Sequence, residues 1–352
     1  MLNKLLLNRI IINIFTYIYI LFIMGFVLYA QEKQSSYKCV KFIGYDDVFN
    51  KEYLYKPSLI RKNPISNEVI IMDSGNRCLY FFTEEGKYIR KIGGKGQGPR
   101  EFLGLHYLDI NNNGDIYTYD INNQRLTIFS KDGFYLSSFK YIGSEETHFT
   151  VSQEEILFNT NRAVFPRNYS GVVKIDACIF VYDKNGELIR DIGKPKDYGG
   201  MGSNNFYGVG IPFKDKEQNY YIFLYRVGIA RKFNNLGKLI KESELETIET
   251  IRMIRKHKDY NISAWMFFDD VFFDGTYFYL LTDNGVYDNN TKTAYLYRID
   301  KEFNIVNKEV LNSYVELGAT PMVGRRPSFV ILNSGNILMT IYTPPQVVKF
   351  IK

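Results

Sequence analysis

A shift of 47 residues brings the chain into register with itself, so that residues 73–92 fall on residues 120–139 without a gap. Asp73 meets Asp120, Phe82 meets Phe129 and Gly86 meets Gly133. A fixed period of this length marks a repeat architecture, in which each unit buries its apolar surface only against its neighbours. Each unit reads as a strand ending in Asp, a turn, a strand ending in Phe, a polar turn closed by Gly, and a further strand. The Gly is informative because tight hairpin turns need a positive φ that other residues resist.

The same hairpin recurs around Gly186 and Gly237, and around Phe303 in a copy where Phe stands in place of Gly. Residues 347–352 supply its first strand once more. With Leu79, Leu126, Ile179, Ala230, Leu296 and Val347 taken as equivalent, the intervals are 47, 53, 51, 66 and 51. Four short strands at such a period make a β-propeller blade. A β-helix or leucine-rich repeat would need shorter periods, helical repeats would show a 3.6-residue pattern, and a sandwich or two unrelated β-domains would not produce a gapless match with six copies. The last unit lacks a fourth strand, while residues 36–42 form an orphan alternating strand at the other end. The predicted fold is therefore all-β, a six-bladed β-propeller closed by the N-terminal strand pairing with the last blade.

The 66-residue interval holds an insertion. Ser243 and Glu246 have capping-box spacing, Glu244 and Glu249 come early, and Arg252, Arg255, Lys256 and Lys258 come late, which suits a helix dipole. Ile248, Ile251 and Ile254 make a narrow stripe. One inserted surface helix is expected over 244–258, packed on the propeller flank.

The first thirty residues stand apart. Lys4 and Arg9 precede an apolar run over residues 10–30, which ends abruptly at Gln31. This is an export signal with cleavage after Ala30, or an N-terminal anchor, since about 20 apolar residues can span a bilayer. Either way residues 31–352, a single propeller domain, lie outside the cytoplasm: exported, periplasmic or cell-envelope associated. The membrane is a partner only through residues 10–30, if they are retained. Those two basic residues account for two of the formal charge of +6, and the rest are scattered, which argues against nucleic acid. Cys39, Cys78 and Cys178 cannot make a disulfide framework, and His106, His148 and His257 share no metal-binding spacing. A monomer is expected.

The run of glycines from Gly93 to Gly98, followed by Pro99, Arg100 and Phe102, then Asn112 to Asp120 and Asn122 to Phe129, resembles the NHL-type blade. More closely it is similar to the exported six-bladed propellers of Bacteroides-like bacteria. The resemblance implies a TolB-like ring and little about activity, since a shared fold does not confer a function. Related six-bladed enzymes are lactonases with Asp, Glu and Asn around a channel calcium, or lyases with His around a metal.

The glycine run lacks the Gly-Lys-Ser/Thr and the following helix of a phosphate site, so it reads as an inter-blade loop. Asp109, Asn111, Asn113 and Asp120 have the oxygen spacing of a calcium loop, although strands rather than helices flank them, so Ca²⁺ is the one cofactor to consider and otherwise none is expected. The innermost strands should precede each Asp-ended strand. They offer Arg61, His106, Arg325 and Arg326, with Arg100 in the glycine loop. Converging at one mouth, these would hold an anionic ligand by bidentate hydrogen bonds, or else they pair with acids such as Glu101 or Asp269 between blades. Ser58, Ser328 and His106 supply a nucleophile and a base only if the fold brings them together. The many Tyr and Phe residues are read as core. The resulting expectation is a non-enzymatic binding propeller for a protein, peptide or glycan. The alternative is a channel-sited metal-dependent hydrolase or lactonase.

Overall fold

The repeat is realised as six antiparallel four-stranded sheets. The computed structural model describes residues 37–44, 46–49, 52–143, 147–152, 154–159, 177–194, 210–225, 227–245, 248, 251, 267–283, 294–311, 327–342 and 344–352. The first strand, β1 (Lys38–Ile43), precedes the blades. Blade 1 is β2 (Pro57–Lys62), β3 (Val69–Asp73), β4 (Cys78–Phe82) and β5 (Tyr88–Gly93), and blade 2 is β6 (Leu105–Ile110), β7 (Ile116–Asp120), β8 (Arg125–Phe129) and β9 (Tyr135–Lys140). Blade 3 is β10 (Phe149–Ser152), β11 (Glu155–Phe158), β12 (Ile179–Tyr182) and β13 (Leu188–Ile192). Blade 4 is β14 (Ile211–Lys214), β15 (Tyr220–Leu224), β16 (Ile229–Phe233) and β17 (Leu239–Glu244). Blade 5 is β18 (Asp270–Phe273), β19 (Phe278–Asp283), β20 (Ala294–Ile299) and β21 (Ile305–Leu311). Blade 6 takes β22 (Phe329–Ile331), β23 (Ile337–Tyr342) and β24 (Pro345–Ile351), and its fourth strand is β1, with Lys38 opposite Ile351 and Val40 opposite Lys349.

Burial explains the composition of each strand. The second and third strands of a blade are covered on both faces, so β3, β4 and β7 are buried at every position and read as near-continuous apolar runs. The outer strand β9 is half-exposed and polar by comparison. Buried side chains form six clusters among the described residues, and each cluster joins two adjacent blades. Ile70 and Phe81 of blade 1 pack with Leu108 and Phe129 of blade 2. The series continues around to Leu338 and Val347 of blade 6, which pack with Ile71 and Tyr80 of blade 1. Tyr37 of the N-terminal segment enters the cluster between blades 5 and 6, and Ile43 the one between blades 6 and 1. Flat rings fill these wedges: Tyr119, Tyr141, Tyr182, Tyr220 and Tyr221 are all fully buried, as the core reading of the aromatic residues requires.

Two repeated turn devices position the strands. In blade 1 the carboxylate of Asp73 accepts the amides of Tyr55 (2.7 Å) and Lys56 (3.0 Å) from the incoming chain, and those of Gly75 (3.0 Å) and Asn76 (2.9 Å) from the turn. Asp120 does the same in blade 2 with Leu103, Gly104, Asn122 and Asn123. In blades 1 and 2 the Asp that ends the second strand thus staples the inter-blade connection to the next turn. The second device is the turn between third and fourth strands, where Gly86, Gly133, Gly186 and Gly237 have φ between 76° and 91°. Phe303 holds the same place at φ 63° with its ring 5 % exposed, among Tyr221 and Phe223. Its buried ring offsets a backbone cost of about 1–2 kcal/mol. Phe303→Gly should therefore lower stability by about 2–3 kcal/mol in urea titrations, although it relieves the backbone.

The expected helix over 244–258 falls largely outside the described residues. Its start is corrected: Ser243 and Glu244 belong to β17, opposite Ala230 and Ile229, so Ser243 does not cap a helix. Leu245, Ile248 and Ile251 are buried against Phe267 and Phe268.

Candidate functional site

The first strands β2, β6, β10, β14, β18 and β22 lie innermost, and their polar side chains reach across blades. Arg61 on β2 is the hub. Its Nη1 donates to Asp270 Oδ2 of blade 5 (3.1 Å), to Ser328 Oγ beside β22 (2.9 Å) and to its neighbour's carbonyl at Ile60 (2.9 Å). Its Nε lies 3.8 Å from Asp109 Oδ1 of blade 2. Ser328 Oγ donates in turn to Asp270 Oδ2 (2.7 Å), and Asp109 Oδ2 accepts the Val151 amide of blade 3 (2.7 Å). Thr150 Oγ1 carries the chain onward to the Pro212 carbonyl of blade 4 (2.6 Å). One guanidinium thus links first strands from four blades, and its hydrogen-bonded neighbours extend the link to the other two.

The side chains of Arg61, Asp270 and Asp109 are 11 %, 5 % and 17 % exposed. Burial works against the charged guanidinium, but Asp270, Tyr107 and Asp109 together hold it above its ordinary pKa. Burial pushes the Asp109 carboxyl up to about 6, against the pull of Arg61 and of the Val151 and Ile110 amides. Burial also raises the Tyr107 phenol. A carboxyl with a raised folded-state pKa contributes its stability fully below the unfolded value near 4 and loses it as pH rises through about 6. Asp109 should therefore cost the wild type about 2–3 kcal/mol on going from pH 4 to pH 7. Asp109→Asn should lack this component, a difference read from urea titrations of both proteins at the two pH values.

Of the candidate ligand residues singled out in the sequence, Arg61, Arg100 and His106 fall among the described residues. Arg61 and His106 lie on inner strands, but His106 packs edge-on against Tyr119 (6.2 Å). Arg100 is exposed on the connection between blades 1 and 2. Arg325 and Arg326 lie outside the described residues. Arg61 does pair with acids between blades; the partners are Asp270 and Asp109, whereas Glu101 Oε2 accepts the Gly98 amide (2.9 Å). Ser58 donates to the Met72 carbonyl (3.3 Å) and Ser328 to Asp270 Oδ2 (2.7 Å). The glycine run is an inter-blade connection, with Gly94 bonded to the Arg77 carbonyl and Arg125 clamping the carbonyls of Gln97, Gly98 and Glu101.

The four calcium-loop donors are not brought together. Asn111 Oδ1 accepts the amides of Asn113 and Asp115 within a tight turn, and Asp109 faces Arg61. Asp120 stands opposite Leu105, four residues from Asp109 along β6, which is about 13 Å. Among the described residues no group of three or more His, Cys, Asp or Glu is arranged to hold a metal.

The two faces of the ring differ in their connections. On one face, first strands join second strands and third strands join fourth through turns no longer than residues 63–68. On the other face run the connections between second and third strands, which include 159–178 and 284–293, and those between blades, which include 193–210, 245–269 and 312–328. Sequence reasoning missed Asp270, Ser328 and Tyr107 as partners of Arg61. Asp270 is the chain neighbour of Asp269, the acid named from the sequence, and lies on β18.

A family model described as a 6-bladed beta-propeller matches residues 50–174. Among solved structures, a Bacteroides fragilis protein described as exported superposes with a TM-score of 0.55 at 13 % identity, covering 91 % of this chain and 97 % of that one. Virginiamycin B lyase from Staphylococcus aureus gives 0.50 at 11 %, covering 90 % and 100 %, and U3-55K gives 0.52 at 8 %, covering 89 % and 97 %. At these identities the likeness is one of fold. No curated protein matches the chain.

Proposed function

We propose that this chain is an exported, non-enzymatic binding propeller of the NHL-type, TolB-like kind, which takes a protein, peptide or glycan on the face carrying its long connections. The observation that carries the reading is the asymmetry between the faces. Tight Asx-type turns on one side form a uniform base, while the other side places connections of unequal length and sequence on rigid strand ends, where a surface can vary without disturbing the core. A second observation supports it: the inner arginine, Arg61, is already committed to Asp270, Asp109 and Ser328, so the inner polar groups brace the ring. In the same reading residues 1–30 direct export, β1 fastens the circle and the insertion that follows β17 forms a helix on the flank.

Exposed aromatic residues on that face supply a starting surface. Tyr53 and Tyr55 are 57 % and 63 % exposed, with Leu54 between them buried, and Asp73 and Asn76 hold their backbone in place. The experiment is a screen of the purified chain against peptide and glycan arrays, followed by Tyr53→Ala/Tyr55→Ala. That double variant should weaken the best ligand at least about tenfold, as loss of buried aromatic contact does at interface centres. Binding unchanged by variants on this face, and lost by variants on the short-turn face, would overturn the assignment. A metal-dependent hydrolase would instead gain several degrees in Tm from Ca²⁺ or Zn²⁺ over EDTA, through linkage. The binding reading expects no such gain.

A further inference from the structure

We infer that the short-turn face is a membrane-contact face, laid against the surface of a lipid bilayer so that the face with the long connections points away from it. This does not rest on the ligand reading above, since it concerns the opposite side of the ring and is tested separately.

Three apolar side chains project from this face. Ile65 in the first turn of blade 1, Phe134 in the last turn of blade 2 and Leu236 in the last turn of blade 4 are 53 %, 68 % and 85 % exposed. All three sit in the short connections of one face, at residues 63–68, 130–134 and 234–238, where Asn, Asp, Ser and Gly would suffice to make the turn. Phe134 and Leu236 lie within three residues of the exposed Lys131 and Lys238, whereas Lys62 near Ile65 is largely buried and paired with Glu84. A projecting apolar tip beside a lysine stem suits the boundary between headgroups and acyl chains. Acids such as Glu68 and Asp132 stand on the same turns, and Lys131 pairs with Asp132, so the face is mixed in charge. The contact is therefore with a zwitterionic surface and does not need anionic lipid.

The second observation is where the chain enters the ring. Lys38 pairs with Ile351, at the end of β24 that corresponds in other blades to the turn between third and fourth strands. Entry is thus on the short-turn face. In sequence, Lys38 follows the apolar run of residues 10–30 by only seven residues, about 25 Å when fully extended. Three shallow tips are too few to hold a protein on a bilayer alone. A tether this short raises their effective concentration at the surface, so weak contacts suffice to set orientation.

The test uses the full chain reconstituted into phosphatidylcholine vesicles that contain a nitroxide-headgroup lipid. Phe134→Trp, Leu236→Trp and Tyr55→Trp are each made in a Trp265→Phe background. Emission should be quenched several-fold more strongly at positions 134 and 236 than at 55, and high salt should not change this. Equal quenching at all three positions, or stronger quenching at 55, would overturn the proposal. A second measurement guards against misfolded variants. In vesicles, acylation of Lys131 and Lys238 should be slow relative to Lys95 on the opposite face, and in Phe134→Asp/Leu236→Asp it should rise to the rate seen in detergent with an unchanged Tm. Protection that survives the double substitution, or that never appears, contradicts the assignment.

Discussion

Replacing Arg61 by alanine should lower stability by about 3–5 kcal/mol, because it leaves buried carboxylates without their counter-charge. Asp270, 5 % exposed, would keep the Ser328 hydroxyl and the Val271 and Phe329 amides as donors but lose the guanidinium that compensates its charge. Asp109 would lose the attraction that offsets its desolvation. The effect should be non-additive: Arg61→Ala combined with Asp270→Ala should cost less than the sum of the single changes, since the second removes the charge stranded by the first. Urea titration of the four proteins of the cycle supplies the numbers. A cost below about 1 kcal/mol for Arg61→Ala would place the network among exposed ion pairs and deny it a bracing role.

Asp73→Ala should be nearly as severe, about 3–4 kcal/mol, for a different reason. The carboxylate is fully buried and accepts four backbone amides, so alanine strands donors that no water replaces. Asp120→Ala should behave alike, since it has the same set of acceptor roles one blade on. Asn at position 73 restores the shape but turns an amide group toward amide donors, so it should recover only part of the loss. Amide exchange at Tyr55, Lys56, Gly75 and Asn76 should accelerate together in Asp73→Ala. Acceleration confined to the turn would mean that the incoming chain is held by something else.

These two predictions differ in how readily their residues could be found. Asp73 and Asp120 were visible in the sequence because the staple is local: the turn that each carboxylate caps follows within three residues and recurs at a fixed period. The same holds for the Gly turns and for the buried Phe82, Phe129 and Phe233 that end the third strands of blades 1, 2 and 4. Arg61 was visible as an inner-strand residue, but its partners were not. Asp270 and Ser328 lie more than two hundred residues away, and which acid of Asp269 and Asp270 turns inward depends on strand phase, where a one-residue error reverses the side. The calcium spacing misled for a related reason. Donor spacing along a loop implies convergence only when the loop folds around one point, whereas here Asp109 and Asp120 are separated along a ladder. The start of the insertion was misjudged because Ser243 and Glu244 have helix-start chemistry yet serve as the end of an outer strand, where ladder pairing with Ala230 and Ile229 overrides local preference. Face polarity was not legible from any one residue; it appears only when every connection is assigned to one end of its sheet.

Everything proposed for the two faces requires the circle to be fastened between β1 and β24, and a cross-strand disulfide tests that directly. Val40 stands opposite Lys349, and directly opposed Cα atoms in an antiparallel pair lie about 4.5–5.5 Å apart, within disulfide reach. In a Cys39→Ser background, Val40→Cys/Lys349→Cys should oxidise readily to an intramolecular bond seen by mass spectrometry. That bond should raise Tm by tying the two ends of the ring together in the unfolded chain. Two thiols that stay free to alkylation under the same oxidant, with Tm unchanged, would contradict the account.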